Sequence, residues 1–265
     1  MPTIPQRRTP DSRRLLRATV LRAERTSTHF VTLTVGGEDL TGFVPLGFDQ
    51  WCRLFFPREG QRALRLPTAS GSRWLAQHML MGPATRPWVR NYTIRAWRPG
   101  EVDVEFAVHG DGGPASQFAQ RAEPGDEVGI LDEGITFLPN PGATQLLLAD
   151  ESAIPAALAI LDSSPADLRA TVLLEVGAQD DVRAVDAPLG ADVHWLVRKD
   201  DRLPGRLALD TLAQLDLTEP PGYTWVAGES GLATGTRRFL TRERGVPKQA
   251  IAFQGYWKHG RASLG

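Results

Sequence analysis

Cysteine is almost missing from this chain: Cys52 is the only one among 265 residues. A single thiol excludes an intrachain disulfide and any metal cluster built from several cysteines of one chain, and it fits a reducing compartment. Net charge is nearly missing too. Thirty basic residues face 31 acidic ones, and the formal charge of −1 gives no overall pull towards nucleic acid or an anionic membrane surface. Long apolar runs are also absent. The longest, LLLADESAIPAALAIL at 146–161, carries Asp150 and Glu151 and is interrupted by Pro155, so it does not read as a spanning helix. The opening MPTIPQRRTPDSRRLL is basic but lacks the apolar core of a secretory signal. The expectation is a cytoplasmic protein with no membrane insertion. Lysine is scarce: Lys199, Lys248 and Lys258 stand against 27 arginines. Most of that bias reads as compositional. Seven arginines precede Phe30, but no aromatic residues are interleaved with them, so a nucleic-acid surface is not expected.

What is present is ordinary for a folded protein: 42% hydrophobic and 23% charged residues. The length favours two domains. Residues 1–14 read as a basic, poorly ordered arm. From 15 to 142 the text is strand-like, with short runs such as HFVTLTVGG, DQWCRLFFP, VRNYTIRAW, EVDVEFAVHG and DEVGIL punctuated by Gly, Pro and Asp. Such spacing predicts an antiparallel barrel or sandwich. In EVDVEFAV, strict alternation puts Val102, Val104, Phe106 and Val108 on one face. A short helix is expected at Pro114–Arg121. After the linker FLPNPGA the texture changes, and 143–265 alternates apolar strands (QLLLA, TVLLEVG, DVHWLV, YTWVAG, IAFQGY) with helices near 153–163, 206–215 and 231–244. That pattern predicts a parallel sheet with covered faces.

Four segments carry chemistry. In R-N-Y-T-I-R, an extended strand points Arg90, Tyr92 and Ile94 one way and Asn91, Thr93 and Arg95 the other. An arginine, an aromatic ring and a hydroxyl within six positions are what a flavin dinucleotide needs for its diphosphate, its ring and its polar edge. A plain strand with a core tyrosine is the alternative. In H-G-D-G-G-P-A-S, His109 to Ser116, Pro114 suits a first helical turn whose free N–H groups form an anion site. The alternative is a hairpin turn with a backbone-bonded histidine. L-L-L-A-D-E-S-A-I-P, ending at Pro155, occupies the place of a dinucleotide loop but is not G-x-G-x-x-G. Asp150 and Glu151 there cap a helix and repel a diphosphate. Glu175 or Asp180 could accept from a ribose hydroxyl. W-V-A-G-E-S-G and G-Y-W-K-H-G end strands where open α/β sheets bind ligands, and Trp257 is placed to cover a flavin or to fill a domain seam.

In this order, R-N-Y-T-I-R, H-G-D-G-G-P-A-S, A-D-E-S-A-I-P-A and A-G-E…G-Y-W-K-H-G resemble the siderophore-interacting proteins, or ferric-siderophore reductases, through nearly the whole chain. The resemblance implies a ferredoxin-reductase-like architecture: an antiparallel Greek-key β-barrel that binds FAD, followed by a parallel-sheet α/β domain of NAD(P)-binding type. It assigns Arg90, Tyr92, Thr93, His109, Gly113, Pro114, Ala115, Ser116 and Trp257 to FAD. It places Arg53, Arg95 and Lys258 against an anionic ferric siderophore, and Asp150, Glu151 and Glu229 in the donor-domain loops. Three positions depart from the family pattern: Ala149 replaces a usual glycine, D-E-G-I-T-F replaces G-P-x-G, and Gln117-Phe118 replaces an aromatic followed by alanine.

The implied reaction is reduction of Fe(III), which weakens its hold on hard oxygen ligands. The electron donor is expected to be NADH, NADPH or reduced ferredoxin. No protein metal ligands and no side-chain nucleophile are expected. Two other functions stay open: a flavin reductase of the same fold serving another acceptor, and a non-catalytic siderophore-binding module.

Overall fold

The computed structural model describes residues 7–261 apart from 12, 70, 72, 109–112, 200, 201 and 218. Backbone contacts divide the chain between Ile135 and Thr136 into two compact units.

The first unit is built from β1 (Leu15–Ser27), β2 (Phe30–Gly36), β3 (Trp51–Phe56), β4 (Trp88–Thr93), β5 (Ala96–Arg98), β6 (Glu101–Ala107) and β7 (Glu127–Gly134). They form one sheet in the order β4-β3-β7-β1-β2-β6-β5, with every pairing antiparallel. The sheet curls until β4 meets β6 again. Tyr92 and Phe106 bring their ring centroids to 4.2 Å there, and the Arg95 N–H donates to the Asp103 carbonyl at 2.8 Å. The barrel-like interior holds Val102, Val104, Phe106 and Val108, all buried as their alternation requires. Each such side chain contributes roughly 1.5–3 kcal/mol by leaving water.

Two helices complete this unit, α1 (Arg73–Leu80) and α2 (Pro114–Arg121). Sequence pattern misses α1, because only one of its eight residues, Trp74, is buried, so it carries no repeating apolar stripe. Trp74 packs edge-on against Phe55 with centroids 5.4 Å apart. VRNYTIRAW reads as one strand but is two. Ile94 donates its N–H to Gln50 and Arg95 donates to Asp103, which hands the chain from the β3 side to β6. Thr93 and Ile94 are both buried, so the Arg90–Tyr92–Ile94 face ends at Tyr92.

The arginine-rich lead segment is not loose where it is described. Arg8 and Ile135 exchange both backbone hydrogen bonds, at 3.0 and 2.9 Å. Gly134 (φ 88°) lies under this bridge, where a Cβ would collide with the Arg8 carbonyl.

The second unit contains β8 (Gln145–Ala149), β9 (Ala170–Val176), β10 (Ala191–Val197), β11 (Tyr223–Glu229) and β12 (Ile251–Trp257), all parallel, in the order β10-β9-β8-β11-β12. Helices α3 (Ile154–Ser163), α4 (Arg206–Gln214) and α5 (Ser230–Glu243) follow the sequence expectation to within a residue. Strand order reverses between β8 and β11, which opens a crevice at their carboxyl ends.

Candidate flavin and substrate sites

Strand β4 carries the flavin motif. Trp88, Arg90 and Tyr92 share one of its faces and are all half-buried. Arg90 donates from Nη1 to the Val89 carbonyl at 2.7 Å, and its guanidinium lies 5.1 Å from the Trp88 ring centre. Burial pulls the Arg90 pKa below its ordinary value and pushes the Tyr92 phenol up. Tyr92 therefore stays a neutral ring that can pack or donate. Thr93 follows, buried at the strand end.

The second element is the start of α2. Gly113 is its N-cap, Pro114 stands in its first turn, and no side chain caps it. Ala115 and Ser116 are buried there, with first-turn N–H groups that no helical carbonyl can reach. Helix α2 packs on β4 and β6, and Phe118 stacks on Phe56 with centroids 5.0 Å apart. This explains the Gln117-Phe118 departure: Phe118 is a core anchor, while Gln117 is exposed. An uncapped helix start beside a strand bearing Arg, Tyr and Thr fits a flavin with a phosphate tail. His109 lies outside the described residues.

The proposed substrate cations differ in setting. Arg53, on β3, donates from Nε to Glu133 Oε1 at 2.7 Å, while Arg13 donates to the other oxygen of that carboxylate at 2.5 Å. Glu133 is buried, and both arginines are only partly so. Arg53 also lies 5.7 and 5.2 Å from the ring centres of Trp51 and Trp74. It is thus a paired, braced cation, and the three charges sum to one positive charge. Sequence reading found Arg53 but not Arg13 or Glu133, which are 120 residues apart. Arg95 is half-buried, and Lys258 is exposed just after β12.

The acidic loop after β8 departs most from expectation. Asp150 and Glu151, expected to cap a helix in the donor-domain loop, are both buried. Asp150 does not cap α3, whose N-cap is Ala153. Its Oδ1 accepts from the Ser152 N–H and hydroxyl, at 2.9 and 2.6 Å. Its Oδ2 accepts from the Glu229 N–H at 2.5 Å and the Trp257 indole at 3.0 Å. Asp150 therefore spans the crevice between β8 and β11. Gly228 (φ 133°) faces it so closely that a Cβ would sit 2.5 Å from its carboxyl carbon. Burial raises the Asp150 pKa against these four donors.

Glu151 pairs with Arg198, which also lies 3.6 Å from Glu175. Burial, partly offset by Arg198, lifts the Glu151 carboxyl to about 7. Glu175 is committed to the start of α4, accepting from the N–H groups of Gly205 and Ala208 at 2.7 and 2.8 Å, and so is not an exposed ribose acceptor. Glu229 caps α5 by accepting from Gly231 and also receives the His259 N–H at 3.2 Å. Trp257, half-buried, is fixed through Asp150.

Comparison with known proteins bears on this arrangement. Residues 19–136 match the model of the siderophore-interacting FAD-binding domain, and residues 142–260 match that of the siderophore-interacting protein. The ferric vibriobactin reductase ViuB of Vibrio cholerae is 30% identical over 248 residues, covering 91% of this chain and 88% of that protein. The chain belongs to the siderophore-interacting protein family. Another relative, the NADPH-dependent ferric-chelate reductase of Escherichia coli, is 31% identical, with 97% of each chain covered. The crystal structure of the siderophore-interacting protein SipS from Aeromonas hydrophila superposes with a TM-score of 0.79 at 30% identity, covering 96% of this chain and 94% of that one. Among the described residues, no helix is long and apolar enough to cross a membrane, and no cluster of three metal-ligating side chains occurs.

Proposed function

We propose that this protein is an FAD-dependent reductase of ferric siderophores that works in the cytoplasm with NADPH as electron donor. The observation that carries the reading is the pairing of the Arg90–Tyr92–Thr93 strand with the uncapped start of α2, in a chain of the siderophore-interacting family.

Bound FAD supplies a carrier that takes two electrons from a nicotinamide and passes them singly to two ferric ions. The chain's own residues do the rest. Arg90 and the N–H groups of Ala115 and Ser116 hold the phosphates. Tyr92, kept neutral, packs against the ring system, and the Thr93 hydroxyl bonds its polar edge. Arg53, braced by Glu133, and the exposed Lys258 attract an anionic ferric siderophore, with Arg95 as a third cation. Charge attraction of this kind admits several siderophores. Asp150 lies in the crevice where other α/β domains cradle a diphosphate, which favours a transient rather than a resident nicotinamide.

The test is spectroscopic. Purified protein should be yellow, should bleach with NADPH under anaerobic conditions, and should recover its colour when a ferric siderophore and a ferrous trap are added. Colourless protein that refuses added FAD would end this reading. Faster bleaching by reduced ferredoxin than by NADPH would replace the donor.

A further inference from the structure

Beside the flavin strand lies a cluster of positive charge of which the roles above use only Arg90. Arg58 follows β3, Arg86 precedes β4, and Arg90 lies on β4. The Arg58 guanidinium sits 3.8 Å from the Trp88 ring centre and that of Arg90 sits 5.1 Å from it, so the two share one indole. The Arg58 Nε donates to the Arg86 carbonyl at 2.7 Å, and Gln61 donates to the same oxygen at 3.1 Å. These bonds fix the backbone between the two arginines. His78 joins the group from α1, its Nε2 3.1 Å from the Pro87 carbonyl.

Like charges gathered in this way repel unless a counter-charge is near. Among the described residues, no salt bridge joins Arg58, Arg86 or Arg90 to a carboxylate. Three other half-buried arginines of this unit behave otherwise: Arg13 and Arg53 share Glu133, and Arg98 grips Asp103. Burial, and repulsion from Arg86 and from Arg90, pull the Arg58 pKa down, with no acidic group among the causes. The Arg86 Nε is buried and unbonded. All three side chains are half-buried, so water screens them only in part.

We infer that Arg58 and Arg86 extend the Arg90 site into an anion subsite for the diphosphate of the flavin, and that this subsite makes the protein select FAD over FMN and riboflavin. The inference rests on the flavin reading of β4. The chemistry follows from charge: riboflavin carries no phosphate, FMN one and FAD two linked phosphates, and planar guanidinium groups reward each anionic oxygen by charge-assisted hydrogen bonds. Trp88 keeps two of the cations in place before the ligand arrives, which reduces the ordering cost of binding.

The test uses the full chain freed of flavin and titrated with riboflavin, FMN and FAD by flavin fluorescence, at low and high salt. Arg58→Gln and Arg86→Gln should each weaken FAD about tenfold, the loss of one charged contact. Riboflavin affinity should stay within about twofold. The salt dependence of FAD binding should shrink in both variants. Arg58→Lys and Arg86→Lys, which keep the charge, should recover part of the loss, and thermal unfolding separates any variant that misfolds. Equal weakening of FAD and riboflavin would make the cluster structural and overturn the inference. So would unchanged FAD binding in both variants when Arg90→Gln loses FAD. If none of the three glutamine variants loses FAD, the flavin reading of β4 falls with it. Loss in the Arg58 and Arg86 variants alone would keep the subsite and remove Arg90 from it.

Discussion

The indole N–H of Trp257 donates to the Asp150 carboxylate at 3.0 Å, tying the end of β12 to the end of β8 across 107 residues. The same oxygen takes the Glu229 N–H at 2.5 Å, so one buried carboxylate joins the ends of three parallel strands. Asp150→Ala would leave the part-buried donors of Ser152, Glu229 and Trp257 without their acceptor, at about 1 kcal/mol or more each. The expected loss is at least about 3 kcal/mol in urea unfolding. Trp257→Phe, which removes one bond, should cost about 1 kcal/mol. An Asp150→Ala protein as stable as the parent would refute this role.

Removing the proposed substrate cations should change recognition and leave the cofactor in place. Arg53→Ala combined with Lys258→Ala is expected to raise KM for an anionic ferric siderophore by about tenfold, with a far smaller effect on a neutral chelate. The flavin spectrum should be unchanged. Equal losses for neutral and anionic chelates would contradict the charge argument.

Glu151 gives a pH test. Its carboxyl rises from 4.5 to about 7 on folding, chiefly through burial. A raised acid stabilises the fold fully below about 4.5, and that contribution is lost as pH climbs through 7. Measured against Glu151→Gln, the parent should therefore lose stability between these limits, with a slope approaching about 1 kcal/mol per pH unit. Parallel stability curves for the two proteins would show that Glu151 keeps its ordinary acidity.

Cys52 lies at the centre of the barrel core and is fully buried, beside Asp132 and Glu133, and burial drives its thiol well above the usual range. A thiol reagent should leave the native protein unmodified and label one site per chain after unfolding. Rapid labelling of native protein would mean that the barrel opens near β3.

Much of the fold is legible because its strands obey simple periods. Val102, Val104 and Phe106 alternate and are buried, and the apolar runs at 145–149 and 170–176 became central parallel strands. Helix α1 was invisible because it buries only Trp74. Residue types at the flavin strand could be read, since Arg90, Tyr92 and Thr93 are neighbours in sequence. The partners that decide the behaviour of other residues could not. Arg13 reaches Arg53 only through Glu133, and Arg198 reaches Glu151 only after β8, β9 and β10 align. Asp150 and Glu151 look like surface carboxylates in the sequence, because nothing local announces that Glu229 and Trp257 will close over Asp150 and Arg198 will pair with Glu151.

The bridge between Arg8 and Ile135 gives the barrel unit a further property. Its chain enters and leaves at one point, latched by two backbone hydrogen bonds and seated on Gly134. A unit whose two ends meet can be cut from its host, spliced into a loop of another protein or permuted without stretching a strand. The flavin half of this protein is in that sense a cassette with its own clasp.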